Sequence, residues 1–196
     1  MKFILILLTI STMINANDYI SKSTIDKVEH KYNSKAKKRF ITLNNNLRDE
    51  LPKDELIKIK KVNDYFNKVG YSTDISLYNQ KDYWATPNEF LAKNLGDCED
   101  YVIAKYFALR YLGLNTSKLY FTYVRSTKFN TPHMVLTYFE TPDSIPLVLD
   151  NNKFEILPAT KREDLKPIYY FNGELMKKKK HKKWDQLLEN IKRDKI

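Results

Sequence analysis

The segment that decides the expected fold is residues 96–113, GDCEDYVIAKYFALRYLG. The segment begins with Gly96, which is expected to end a preceding helix, and Asp97, which is a typical N-capping residue. It ends at Gly113, a residue type that commonly follows the last turn of a helix. The apolar side chains between these ends cover most of the helix circumference, as in a helix buried on all sides: Val102, Ile103, Tyr106, Phe107, Leu109 and Leu112. The pattern predicts a buried helix whose first turn contains Cys98, the single cysteine of the chain.

Helical patterns also fill much of the sequence before this segment. Residues 18–50 are highly charged and mostly helical in pattern, and the three asparagines at 44–46 are expected to weaken the helix there. Pro52 starts a new segment, in which apolar residues recur at helical spacing until Gly70 ends the helix: Leu56, Ile59, Val62, Phe66 and Val69.

A shorter helix is predicted immediately before the cysteine. Thr86 is an N-cap residue, Pro87 occupies the first helical position and Glu89 the third. Thr86 and Glu89 can therefore form a capping box, in which each side chain accepts a hydrogen bond from the backbone of the other. This helix is expected to run to about Leu95, where Gly96 stops it.

After Gly113 the pattern changes from helical to strand-like. Four segments are rich in β-branched and aromatic residues, which favours strands: residues 119–124, 133–139, 146–150 and 154–157. N-terminal helices followed by consecutive strands predict an α+β fold with an antiparallel sheet, and 196 residues fit one domain. A last helix is expected around residues 184–191.

The first 16 residues have the pattern of a targeting segment. Lys2 supplies a positive charge, residues 3–10 (FILILLTI) form an apolar stretch, and residues 14–16 (Ile-Asn-Ala) form a small-residue cleavage site. An apolar stretch this short is no stable membrane anchor, because a spanning helix needs about 20 apolar residues. The sequence predicts a signal peptide at 1–16 and an exported domain at 17–196; a buried N-terminal helix is the alternative.

The chain is strongly basic, with a formal net charge of +10. Such a charge favours anionic partners, which include acidic proteins, membrane surfaces and nucleic acids. The densest run is KKKKHKK at residues 177–183, which we interpret as solvated and which lies in a basic C-terminal tail at 174–196. No nucleic-acid-binding pattern with interleaved aromatic residues accompanies this run, so nucleic acid is not expected as a partner.

Cys98 is either an inert buried residue or a nucleophile. Outside the cytosol a lone cysteine cannot form an internal disulfide and is open to oxidation, so its presence needs a reason. The unpaired N–H groups and the dipole at a helix N-terminus lower the pKa of a thiol, which favours a nucleophile. Asp97, Glu99 and Asp100 oppose a thiolate. These acids either stabilise the first helical turn or bind a hard cation such as calcium.

His133 and Asp150 lie at the ends of two consecutive predicted strands. If the hairpin pairs Thr137 with Pro146, His133 falls opposite Asp150, and opposed side chains share one face with their Cβ atoms about 4.5–5.5 Å apart. A carboxylate at that distance can orient an imidazole base. A slip of one residue would place the two on opposite faces, and His133 would then be an ordinary strand-end residue. Cys98, His133 and Asp150 follow the chain order of nucleophile, base and orienting acid.

Several longer motifs resemble those of the bacterial transglutaminase-like cysteine peptidases. The resemblance covers residues 62–173 and rests on six segments: DYWATPNEFL at 82–91, GDCEDY at 96–101, AKY at 104–106, HMVL at 133–136, LVLDN at 147–151 and FNG at 171–173. It implies a papain-like, transglutaminase-like α+β fold and a Cys–His–Asp triad formed by Cys98, His133 and Asp150. It also implies a calcium site that uses Asp97 and Glu99, and Asp100 is a further candidate ligand.

The resemblance also implies a biological role. LapG-type members of this family are periplasmic proteases that cut a large surface adhesin near its N-terminus, at a site of small residues. Cleavage releases the adhesin and disperses the biofilm. An inner-membrane receptor that senses cyclic di-GMP sequesters the protease when this messenger is abundant. The expected partners are therefore an exported adhesin and such a receptor.

Two other functions use the same residues. A transglutaminase with this triad transfers the acyl group to an amine instead of water, and a basic module without catalysis would only bind other proteins. Trp84, just before the predicted capping box, is a candidate for shaping the cleft or for donating a hydrogen bond to the oxyanion; packing in the core is its alternative role.

Overall fold

The structure is a computed structural model that describes residues 18–193, and the predicted signal peptide lies outside these residues. In chain order, the helices and strands of the described residues are α1 (Lys22–Lys31), α2 (Ser34–Glu50), α3 (Glu55–Phe66), β1 (Gly70–Tyr71), α4 (Asp74–Tyr78), α5 (Pro87–Lys93), β2 (Leu95–Gly96), α6 (Cys98–Tyr111), β3 (Leu119–Ser126), β4 (Thr131–Tyr138), β5 (Leu147–Leu149), β6 (Leu157–Pro158), β7 (Leu165–Phe171), α7 (Gly173–Lys178) and α8 (Lys182–Lys192). Helices precede an antiparallel sheet, so the predicted α+β class is confirmed.

Helix α2 continues through the asparagine triplet, so the expected weak point at 44–46 is wrong. Asn44 is buried, and its side chain bonds the backbone that precedes α1 rather than the backbone of its own helix. Its Oδ1 accepts from the N–H of Ile20 over 2.9 Å, and its Nδ2 donates to the carbonyl of Ile20 over 2.8 Å. Both polar groups of the amide are satisfied, which removes the competition that makes asparagine unfavourable within helices.

Helix α5 begins with the predicted capping box between Thr86 and Glu89. It ends earlier than expected, at Asn94, whose φ of 55° lies in the left-handed region that asparagine tolerates better than most residues. Gly96 instead belongs to β2, which pairs in parallel with β1. A Cβ atom at Gly96 would lie 2.5 Å from the ring of Phe90, so this glycine permits a close approach of chain segments.

Helix α6 confirms the prediction from residues 96–113. Asp97 is its N-cap, and Gly113 follows its end with a φ of 84°. The helix packs against α3, α5 and β4, and its apolar side chains are almost completely buried. Each buried side chain of the size of Ile103 or Leu109 contributes about 1.5–3 kcal/mol to folding relative to exposure. This burial anchors the first turn of α6 rigidly against the sheet.

The five-stranded sheet has the order β6–β5–β4–β3–β7, with antiparallel neighbours. The predicted strand at 154–157 is largely wrong, because β6 contains only Leu157 and Pro158. Strand β7 (Leu165–Phe171) was not predicted. Its central residues are exposed on both faces, so its sequence does not alternate between apolar and polar side chains.

Helix α8 confirms the last helix expected around residues 184–191, and it extends the core beyond the lysine run that was interpreted as solvated. Trp184 is buried, and its ring stacks on that of Phe107 at a centroid distance of 5.8 Å. Leu187, one turn later, is also buried. The lysines of the preceding turn, at 178–180, are exposed as predicted. Within residues 18–193, no helix is long and apolar enough to cross a membrane.

Candidate active site

Cys98 lies at the N-terminus of α6, beside the strand that carries His133. The half-buried thiol receives a hydrogen bond from the backbone N–H of Met134, the residue that follows His133 in β4. Cys98 and His133 line one cleft of about 230 Å³. The remaining walls of this cleft come from the end of β1, the β3–β4 hairpin and the loop after β5: Tyr71, Ser126, Phe129, Thr131, Pro132 and Asn152.

His133 and Asp150 form a buried pair, with 2.8 Å between Nε2 of the imidazole and Oδ1 of the carboxylate. The strand register differs from the predicted one by two residues, because Thr137 pairs with Val148 and not with Pro146. A shift of two residues keeps the side chains on the same face, since faces alternate with every residue. Because Nε2 is bound to Asp150, Nδ1 is the ring nitrogen that remains for proton exchange with the cleft.

Arg162 is a partner of Asp150 that the sequence did not reveal. Its Nη2 lies 2.6 Å from Oδ2 of Asp150, and both side chains are buried. Burial alone would raise the pKa of Asp150, but the bonds and charge from His133 and the bond from Arg162 lower it to about 2. Asp150 is therefore ionised at neutral pH. The segment KRED at residues 161–164 contains no motif that marks Arg162, and only the fold places it here.

Three carboxylates cluster next to Cys98. One oxygen each from Asp74, Asp97 and Glu99 lies within 4.8 Å of the others. Burial, with the charge of Glu99 as a further cause, raises the pKa of Asp97 and raises that of Asp74 to about 6. Oδ1 of Asp97 is buried without a hydrogen-bond partner among the described residues. Clustered oxygen ligands with unmet charge fit a hard cation such as calcium.

Asp74, and not Asp100, is the third member of this cluster. The two oxygens of Asp100 already accept hydrogen bonds from the backbone N–H groups of Ala85 and Asp97, over 2.9 and 3.3 Å. Asp100 thus fixes the entry into α6 and is absent from the cluster. Asp74 was missed because it is the first residue of α4, where an acid is ordinary.

Trp84 lies in the core of the protein. Its ring stacks on those of Phe121 and His181, at centroid distances of 6.4 and 5.4 Å. It does not contribute to the wall of the cleft that contains Cys98. Its indole N–H is buried without a hydrogen-bond partner in the described part of the chain. This placement corresponds to the packing role considered for Trp84.

The negative charges around Cys98 work against its ionisation. Burial raises the pKa of the Cys98 thiol, and the charges of Glu99 and Asp97 raise it further. The hydrogen bond from the N–H of Met134 opposes this effect. Without a bound cation, the thiolate is therefore disfavoured, although the helix N-terminus favours it.

Comparison with solved structures gives strong similarity over nearly the whole domain. Legionella pneumophila LapG is 40% identical, with a TM-score of 0.77, and the match covers 89% of this chain and 99% of that chain. The calcium-bound form of LapG is 39% identical, with a TM-score of 0.77 and coverage of 88% and 99%. The EGTA-treated form is 38% identical, with a TM-score of 0.76 and coverage of 89% and 99%.

Comparison with curated proteins gives no match. The sequence profile of a protein family matches residues 21–190, a wider range than the motifs at 62–173. The described fold is thus the transglutaminase-like fold of LapG. By this match and by its similarity to LapG, the chain belongs to the family of bacterial transglutaminase-like cysteine proteinases (BTLCP).

Proposed function

We propose that this protein is a calcium-dependent periplasmic endopeptidase that uses Cys98, His133 and Asp150 as its triad. The observation that carries the proposal is the shared cleft of Cys98 and His133, with His133 held by Asp150 at 2.8 Å. Membership of a cysteine proteinase family supports the chemistry. The buried carboxylate, ionised at neutral pH, supports the role of Asp150 as the group that orients the imidazole.

In the proposed reaction, Nδ1 of His133 takes the proton of the Cys98 thiol, and the sulfur attacks the carbonyl carbon of the scissile peptide bond. The backbone N–H of Cys98, at the start of α6, donates to the oxyanion of the tetrahedral intermediate. His133 then gives its proton to the leaving amine, and the C–N bond breaks. Water, deprotonated by His133, hydrolyses the thioester and restores the thiol. Asp150 stabilises the imidazolium in both steps.

Asp74, Asp97 and Glu99 are the proposed calcium ligands. The ion, when bound, supplies positive charge that offsets these carboxylates beside the nucleophile. The ligands come from α4 and from the first turn of α6, so they also connect these two elements. The calcium-bound form of LapG, at 39% identity, supports this choice of metal.

The proposed substrate is a large surface adhesin, cut in its N-terminal region to release it from the cell and promote biofilm dispersal. The proposed regulator is an inner-membrane receptor for cyclic di-GMP. Both come from the family resemblance and from the similarity to LapG. The small volume of the cleft, about 230 Å³, suits a scissile site made of small residues.

The decisive experiment incubates the mature protein with N-terminal fragments of large exported adhesins from the same cell, with calcium, and separates the products on a gel. Two shorter fragments are expected, and none with Cys98→Ala. A crosslinked product in the presence of amines would favour acyl transfer instead. Adhesin release by Cys98→Ala protein would indicate a binding module and contradict the protease.

A further inference from the structure

Arg162 connects two parts of the candidate site that are separate in sequence. On one side its Nη2 lies 2.6 Å from Oδ2 of Asp150. On the other side its Nε and Nη2 each lie 2.8 Å from an oxygen of Asp164, which is a two-point contact. Only 2% of the Arg162 side chain is exposed, and Asp150 is fully buried, so the bond between them is largely shielded from water, whereas Asp164 is partly exposed. Shielding strengthens such bonds and makes their loss costly.

Asp164 extends this connection to the wall of the cleft. Its backbone carbonyl accepts from the N–H of Thr127 over 2.8 Å and from the hydroxyl of Thr127 over 3.2 Å. Thr127 begins the turn between β3 and β4. In the same turn, the N–H of Phe129 donates to Oγ of Ser126 over 3.3 Å, and both of these residues line the cleft. A continuous series of bonds therefore runs from Asp150 to the hairpin turn.

We propose that Arg162 and Asp164 are positioning residues that hold the β3–β4 hairpin turn in place relative to the His133–Asp150 pair. Arg162 orients the carboxylate of Asp150, which binds His133. Asp164 binds Arg162 through its side chain and Thr127 through its backbone carbonyl, which fixes the turn that contains Phe129. The guanidinium of Arg162 thus fixes the position of the His133–Asp150 pair relative to the wall of the cleft that contains Ser126 and Phe129. The inference rests on the proposed protease function, because it assigns a purpose to that alignment.

The planar guanidinium is required for this double contact. Arginine presents its N–H donors in a fixed fork and can bind Asp150 and Asp164 at once, whereas lysine offers a single point charge. A buried ion pair of this kind contributes little net stability compared with apolar packing, so its value lies in fixing geometry. The other charged groups that face Asp150 are His133 on β4 and the buried Lys105 on α6.

The test compares Arg162→Lys, Arg162→Met and Asp164→Asn. Arg48→Gln is the matched control, since Arg48, on α2, forms an exposed ion pair with Asp18. Steady-state cleavage of a peptide from the adhesin site provides kcat and KM. We expect Arg162→Lys and Asp164→Asn to raise KM about fivefold or more with kcat changed less than about threefold. Both changes weaken the two-point contact that fixes residue 164, whose backbone carbonyl bonds Thr127, while Asp150 keeps a cation. We expect Arg48→Gln to match the wild type.

Arg162→Met is expected to lower kcat as well and to change the pH profile. Removal of an adjacent cation raises the pKa of Asp150, typically by about 1–3 units. As the pH is lowered, the variant is then expected to lose activity at a higher pH than the wild type does. A loss of packing alone would lower activity at every pH without moving the pH at which it is lost. Unchanged KM in both Arg162→Lys and Asp164→Asn, with folding confirmed by circular dichroism, would overturn the proposal.

A second readout is independent of proteolysis. In Cys98→Ala protein, the imidazole ¹H–¹⁵N signals of His133 report on its bond to Asp150. Adding Arg162→Met is expected to shift these signals, and adding Arg48→Gln is expected to leave them in place. A shift in this background, combined with no cleavage by protein that retains Cys98, would uphold the role of Arg162 while contradicting the protease function. Unshifted signals in folded Arg162→Met protein would contradict the positioning role itself.

Discussion

The thiol of Cys98 donates a hydrogen bond to Oε2 of Glu99 over 3.2 Å. The candidate nucleophile is therefore bonded to a candidate metal ligand in the next position of the chain. Two unit charges about 4 Å apart interact by about 4 kcal/mol at an effective dielectric constant of 20. This exceeds the stabilisation of less than about 1 kcal/mol that an exposed helix N-terminus gives an anion. After burial, the negative charge of Glu99 is thus the largest influence against ionisation of Cys98.

The first prediction concerns the rate at which iodoacetamide alkylates Cys98. Burial and the charges of Glu99 and Asp97 raise the thiol pKa, so alkylation at pH 7.5 is expected to be slow in chelator-treated protein. Calcium offsets these charges, which lowers the pKa and accelerates alkylation at neutral pH. The acceleration is expected to vanish at high pH, where the thiolate forms in either case. Equal rates with and without calcium at pH 7.5 would contradict the prediction.

The second prediction concerns the metal ligands. Asp74→Ala, Asp97→Ala and Glu99→Ala are each expected to weaken calcium binding about tenfold or more, equal to about 1.4 kcal/mol, and to mimic chelation in the cleavage assay. Added calcium is expected to restore the cleavage activity of chelated wild-type protein better than added magnesium does. Titration calorimetry measures the affinities. Asp143→Ala, in the exposed loop between β4 and β5, serves as the control. Full activity of exhaustively chelated, metal-free protein would exclude the calcium requirement and leave the triad standing.

The third prediction concerns stability without calcium. The pKa of Asp74 is about 6 in the folded protein, against about 3.9 for an unperturbed aspartate. Between these pH values the folded state binds more protons than the unfolded state, so stability falls as the pH rises from about 4 to about 6. The melting temperature of chelated protein is expected to drop by a few degrees over this range. Calcium is expected to flatten the curve, whereas Asp74→Asn is expected only to reduce its slope, because the pKa of Asp97 is raised as well. A melting temperature that rises with pH in chelated protein would contradict the prediction.

The fourth prediction concerns Asp150→Asn. The amide keeps a hydrogen bond to His133 but does not stabilise the imidazolium, and a comparable change in serine triads costs about 10⁴ in kcat. The protein is expected to fold. Its free energy of unfolding is expected to fall by less than the cost of breaking a buried ion pair completely, which is about 3–5 kcal/mol, because Asp164 still binds Arg162. Urea unfolding and steady-state kinetics measure the two effects. Near-normal kcat would remove Asp150 from the triad.

The fifth prediction concerns export. The apolar stretch at residues 3–10 and the site at 14–16 predict a mature protein that begins at Asn17 and lies in the periplasm. N-terminal sequencing of protein purified from the native cell, combined with fractionation, provides the measurement. Recovery of Met1 on most of the protein would show that the segment is retained.

Local signals in the sequence were sufficient to place Cys98. Three features that depend only on residues close in the chain predicted helix α6, and each is confirmed in the fold: the N-cap at Asp97, the apolar residues around the helix and the end at Gly113. The shared face of His133 and Asp150 was also predictable, because strand faces alternate with a period of two. The register was not, since the long connection at residues 139–146 does not determine which residues of β4 and β5 pair.

Only the tertiary structure brought Arg162 to Asp150 and Asp74 to Asp97. Arg162 follows a single 3₁₀ turn, Ala159–Lys161, and Asp74 is an ordinary first-turn acid, so neither has a distinctive local pattern. Strand β7 was missed for a related reason, because a strand exposed on both faces has no apolar periodicity. Periodicity and capping report on contacts within a few residues. The charges that shift the pKa values in a buried site act through space, and the order of the charged residues in the sequence does not determine the distances between them.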